Sequence, residues 1–128
     1  MPALNFQKQF ADLVQSGQKT RTIRAKRKDG RWPAYVGNRL SLYTGMRTKY
    51  CRLLGKGKVT QTTDITITEQ GIEWLVFPVK PEGLDKFAQA DGFKDWPAMR
   101  DWFRQVHGLP FHGREIIWEL DTPVANPT

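Results

Sequence analysis

At 128 residues, with 39% hydrophobic side chains and 7 Phe, 5 Trp and 3 Tyr, the chain carries enough apolar material for one packed core, which excludes a disordered segment. A single cysteine, Cys51, excludes an internal disulfide and points to a cytoplasmic setting, while no apolar run approaches the ~20 residues of a membrane span and no signal-peptide pattern opens the chain. The net charge of +7 is unevenly divided: residues 1–60 hold 14 Lys/Arg against 2 acids (+12), and residues 61–128 hold 6 against 11 (−5). A basic half beside an acidic half suggests a face made for a polyanion, with nucleic acid the leading candidate; the other reading is a basic protein with no such partner.

Phe6, Phe10, Leu13 and Val14 fall at i, i+4, i+7 and i+8, which predicts a helix from Asn5 or Phe6 to about Ser16, stopped by Gly17. The segment Gly17 to Arg24, GQKTRTIR, then predicts a turn and a short strand rich in β-branched residues. Alternation puts the hydroxyls of Thr20 and Thr22 and the guanidinium of Arg24 on one face. Polar groups gathered on one strand face need water, hydrogen bonds or a ligand, so this face is the candidate site; a half-exposed strand with a solvated side is the alternative. Next comes a loop in which Lys26, Arg27, Lys28 and Arg31 interleave with Trp32 and Tyr35. Cations for phosphates and rings for bases are the ingredients of single-stranded nucleic acid binding, although Trp32 could equally cover the core among solvated charges.

Val36 to Arg39 reads as a turn into a second strand, Arg39 to Tyr43, with Leu40 and Leu42 facing inward. A third strand is expected from near Lys49 through Cys51, Leu53 and Leu54 to Thr62, with Cys51 as small apolar filler and Gly55 and Gly57 as bulges. GKGK at 55–58 lacks the Lys-Ser/Thr pair and the following helix of a phosphate-binding loop. Asp64 to Thr68 and Ile72 to Phe77 predict a hairpin. Gly83 to Ala90 predicts a short helix, Asp91-Gly92-Phe93 a corner, and Asp95 the N-cap of a longer helix ending at Gly108. Arg114 to Leu120 predicts a last strand with Ile116, Trp118 and Leu120 inward. His107 and His112 match no metal-ligand spacing and read as surface or loop histidines; no metal or cofactor is expected. The pattern predicts an α+β fold: one domain over residues 1–120, with a small curled sheet or β-barrel of five or six strands flanked by two or three helices, and a flexible tail over 121–128.

The helix ending at Gly17, the run Lys19-Thr20-Arg21-Thr22-Ile23-Arg24, the run Val36-Gly37-Asn38-Arg39-Leu40 and the later cluster at Asp91-Gly92-Phe93 with Met99 and Phe103 together resemble the ASCH domain family, a branch of the PUA-like β-barrel folds. The resemblance spans roughly residues 4–120 and implies a cleft suited to RNA or a nucleotide-like ligand. Nucleic-acid contacts would then fall on Arg21, Arg24, Lys26, Arg27, Lys28, Arg31 and Trp32. Small bacterial members similar to this chain are amidohydrolases that remove the acetyl group from N4-acetylcytidine, and another member is described as a ribonuclease. Their working lysine, threonine and downstream glutamate would fall on Lys19, Thr22 and Asp91, the last shorter by one methylene. Such chemistry needs a threonine hydroxyl activated by a lysine whose pKa lies well below ~10.4. Strict alternation would send Lys19 and Thr22 to opposite faces, so Lys19 is expected in the turn before the strand begins.

Overall fold

Seven strands and three helices make up the computed structural model, which describes residues 2–121. In chain order they are β1 (Ala3–Phe6), α1 (Lys8–Ser16), β2 (Arg21–Arg24), β3 (Arg39–Thr44), β4 (Arg52–Ile67), β5 (Ile72–Trp74), β6 (Phe77–Pro78), α2 (Leu84–Ala90), α3 (Trp96–Val106) and β7 (Phe111–Leu120). The expected tail lies outside the described residues except for Asp121, whose carboxylate pairs with Arg39.

β4 is the spine. β7 runs antiparallel along it from Gly57↔Leu120 to Ile67↔Phe111, and β2 pairs with β7. β3 pairs with the first half of β4 and carries β1 in parallel outside it, while β5 and then β6 pair at the far end. The sheet therefore has seven strands rather than five or six, and its ladders do not close into a ring. β1 and β2 are left as two edges, and the Arg24 guanidinium spans them, Nη2 donating to the Asn5 carbonyl at 2.7 Å.

Both sheet faces are buried, in different halves. On one, α1 packs Phe10 and Val14 against Leu4, Leu40, Leu42, Val59, Ile116 and Trp118. On the other, α2 and α3 pack Leu84, Met99 and Phe103 against Ile23, Ile65, Ile67 and Phe111. The switch is made in β4, where Thr60 stands unpaired between Val59↔Trp118 and Gln61↔Ile117. One extra residue reverses the alternation, so Val59 and Ile65 enter opposite cores despite their even spacing. In β7, which carries no bulge, the neighbours Glu115 and Ile116 face opposite sides, and both are fully buried because both faces are covered there.

Several sequence expectations need correction. Phe6 ends a strand rather than opening the first helix, which begins at Lys8. Leu4 and Phe6 alternate at strand period, and pairing with β3 (Leu4↔Leu42) decides between that pattern and the helical one. The bulged residues of β4 are Leu54 and Thr60, not the glycines, and β4 runs unbroken to Ile67. Cys51 is exposed ahead of β4, because residues 45–51 form turns in which Thr48 and Cys51 donate backward to Gly45 and Thr48. Leu40 and Leu42 are fully buried as expected, and Asp95 caps α3 by accepting from the Ala98 N–H at 2.9 Å.

Two substitutions test this account in urea denaturation. Phe103→Ala, which empties a fully buried ring site, is expected to cost about 3–5 kcal/mol. Asp95→Ala removes only the cap and should cost about 1 kcal/mol.

Candidate functional site

The gap between β1 and β2 opens into a cleft of about 290 Å³, closed on the remaining sides by the start of α1, the Asp91 corner and the end of α3. Its polar wall includes Asn5, Lys19, Thr22, Arg24, Asp91 and His107, and its apolar wall Phe6, Phe10, Phe93 and Trp102. The rings form a connected cluster, Phe93 lying 5.3 Å from Phe10 and 5.6 Å from Trp102 between centroids. A planar, apolar-faced ligand of modest size fits such a lining.

Local backbone chemistry sets each polar group. Gly17, in the left-handed region at φ 82°, ends α1, and the Lys19 N–H then donates to the Leu13 carbonyl at 2.9 Å. Lys19 thus sits in the connection before β2, outside the strand alternation, as the sequence required. Asp91 is the C-terminal residue of the α2 turn, and Gly92 at φ 95° reverses the chain behind it. The Lys19 Nζ donates to the Asp91 carbonyl at 2.5 Å and to its Oδ1 at 3.1 Å, with both side chains almost wholly buried. Thr22 and Arg24 share a face of β2, and the Arg24 Nε donates to Thr22 Oγ1 at 3.1 Å. That guanidinium also lies 5.0 Å from the centre of the Phe6 ring.

Burial governs the charges. It pushes the Lys19 amine below its ordinary value, Asp91 opposing and Arg24 assisting. It raises the Asp91 carboxyl against the pull of Lys19, Arg21 and Arg24. His107, whose ring packs 4.7 Å from that of Phe111, is lowered by desolvation and by the Arg24 charge. The cleft therefore holds an amine disposed to lose its proton, a hydroxyl oxygen accepting from a cation, and a largely neutral imidazole.

The remaining sequence candidates lie elsewhere. Arg21 is on the other face of β2, 3.7 Å from Glu115. Trp32 is half-buried, with the Arg114 guanidinium 4.3 Å above its ring and the Lys26 ammonium 5.9 Å away. Arg31 is held by the Asp29 carboxylate at 3.1 Å. Arg27 and Lys28 are exposed. Sequence reasoning missed His107 as a wall of the cleft, because its spacing from His112 was tested only for a metal. It also missed Glu115, which points away from Ile116 as expected but onto a second sheet face that is itself covered, so it is fully buried. Among the described residues no group of three or more His, Cys, Asp or Glu could hold a metal ion.

Comparison with protein-family models, curated proteins and solved structures gives no match for this chain. The residues of the cleft themselves carry the reading that follows.

Gly92→Ala tests the corner. An added Cβ would stand 2.9 Å from Phe10 Cδ1 and 3.1 Å from Lys19 Cδ, at a φ that side chains rarely adopt. A loss of about 1–3 kcal/mol is expected in denaturation, together with an upward shift of the Lys19 amine titration in NMR as it moves toward water. Gly108→Ala, also at positive φ but with open space around it, should destabilise without moving that titration.

Proposed function

We propose that the cleft is the active site of a hydrolase acting on an acylated amino group of a modified nucleobase, with N4-acetylcytidine as the model substrate. The observation that carries this reading is the buried contact of Lys19 with Asp91, at 3.1 Å, in a cleft also walled by Thr22 and aromatic rings. The rings would hold the base plane. The unprotonated Lys19 amine would take the Thr22 hydroxyl proton while Thr22 Oγ1 attacks the acyl carbon. Arg24, already hydrogen-bonded to that oxygen, would stabilise the negative charge it develops as its proton leaves. The acyl C–N bond then breaks and Lys19 returns its proton to the departing nitrogen. Water hydrolyses the threonine ester by the same proton route, releasing the acid and restoring Thr22. Asp91 orients the amine.

The same residues support assignment to the ASCH family. The curled sheet, with β1 and β2 bridged by Arg24, is read as an open form of its PUA-like barrel. A cytoplasmic setting fits a chain with one exposed cysteine and, among the described residues, no helix long and apolar enough to cross a membrane. A second reading, RNA binding without catalysis, is favoured by the exposed basic loop at Arg27 and Lys28.

Incubation with N4-acetylcytidine and chromatography of released cytidine separates the two. Thr22→Ala is expected to abolish turnover, and Lys19→Met to lower it about 10²–10⁴-fold. Turnover insensitive to Thr22→Ala would overturn the mechanism. No turnover at all, combined with salt-sensitive RNA affinity that Lys28→Ala weakens and Arg100→Ala does not, would establish the binding reading instead.

The pH profile gives a second test. Because Lys19 works unprotonated and burial lowers its pKa, kcat/KM should rise with pH and level off below the ordinary lysine value of 10.5. Asp91→Asn removes the charge that holds the proton on the amine, so the rise should move to lower pH while the plateau falls.

A further inference from the structure

Beyond Asn5 and Arg24 the cleft adjoins a second pocket, of about 350 Å³, whose wall contains Arg24, Arg27 and Arg47 and no carboxylate. Guanidinium groups gathered on a wall that holds no carboxylate repel one another, and Asp29 outside it acts on Arg27 as Asp91 does on Arg24. Neither the Arg27 nor the Arg47 side chain makes a hydrogen bond or ion pair with any described residue, so their donors are available.

The pocket is built rather than incidental. Arg47 lies in a turn at φ 66°, in the left-handed region that non-glycine residues adopt only under strain. That turn is tied to the cleft through Asn5. The Asn5 Oδ1 accepts from the Met46 N–H at 2.9 Å, while its carbonyl accepts from Arg24 Nη2 at 2.7 Å. One residue of β1 thus sets the Arg47 turn against the Arg24 side chain, and Arg24 faces both cavities.

We infer that this pocket is a phosphate subsite, and that the substrate of the cleft is a nucleotide rather than a free nucleoside. A planar ring in the aromatic cleft and an anion among the arginines, separated only by the Asn5–Arg24 wall, describe a base and its nearby phosphate. Forked donors match phosphate oxygens in pairs, which lysines do not. The inference rests on the nucleobase reading of the cleft and names the class of substrate that it takes. The phosphate could belong to a free nucleotide or to one unit of a strand.

The test compares affinities of the intact chain for cytidine, cytidine 5′-monophosphate and a short single-stranded RNA oligomer, by calorimetry, with N4-acetylated forms of each as substrates. The monophosphate is expected to bind at least about tenfold tighter than cytidine. That ratio should collapse toward one in Arg47→Gln and, separately, in Arg27→Gln, with folding of each variant checked by thermal denaturation. The preference should also shrink as salt is raised. Equal affinity for cytidine and its monophosphate, or a preference that survives both substitutions, overturns the inference. Turnover of N4-acetylcytidine with no phosphate preference would do so while leaving the hydrolase reading intact. An arginine-dependent preference for the monophosphate without any turnover would sustain the subsite and remove the hydrolase. An oligomer binding more tightly than the monophosphate identifies a strand as the source of the phosphate; equal or weaker binding identifies the free nucleotide.

Discussion

A lysine amine taken out of water must find acceptors or give up its proton, and the site is arranged around that constraint at Lys19. Its two acceptors both belong to Asp91, the backbone carbonyl and the carboxylate, on a residue 72 positions away in the chain. Meeting them requires α1 to stop at Gly17, α2 to stop at Asp91 and the chain to reverse at Gly92, all against the ring of Phe10. The contact therefore joins the two helical layers across the open edge of β2. Its stability and its chemistry pull in different directions: the carboxylate favours the protonated amine, and burial favours the neutral one.

The same edge would otherwise be a liability. Unpaired strand edges invite pairing with other chains, and proteins blunt them with charge or cover. Here β1 and β2 make no backbone ladder with each other, and one arginine side chain bridges them instead. Arg24 is thus structural seam and cleft wall together. Behind it, Glu115 occupies the opposite face of the sheet with one oxygen 3.4 Å from the Trp74 indole nitrogen and the other without a hydrogen-bond partner among the described residues. Burial raises its carboxyl, with the Asp91 charge adding to that rise, and its own charge is felt at Lys19.

Much of this was legible from residue types alone. Gly17 as a stop, the shared face of Thr22 and Arg24, the corner at Asp91 and Gly92, and the Asp95 cap all follow from local backbone preferences. The first strand was not legible, because Phe6 serves the strand period with Leu4 and the helical period with Phe10 equally well. Nor was the meeting of Lys19 with Asp91, which no local pattern encodes and which only the family resemblance suggested. Arg47 was invisible for a related reason: a lone arginine in a turn gains meaning only when Asn5, forty-two residues earlier, fixes that turn beside Arg24. Charge counting located the basic half, but not the fact that two of its arginines already have acidic partners, Arg31 in Asp29 beside it and Arg21 in Glu115 of the acidic half.

The unpaired Thr60 gives the chain a reading frame. Between the bulged residues Leu54 and Thr60, the odd-numbered side of β4, which carries Val59, faces the α1 core; downstream of Thr60, odd-numbered Ile65 and Ile67 serve the α2 and α3 core. The two halves of the strand are thus in different phases, joined at a single residue with no side-chain duty in either core. Loss or gain of one residue between Val59 and Gln61 would leave every amino acid beyond it chemically unchanged, yet turn Thr63, Ile65 and Ile67 toward the wrong side. Length in this strand is therefore inherited as strictly as identity, and divergence of the chain is free to alter composition there long before it can alter count.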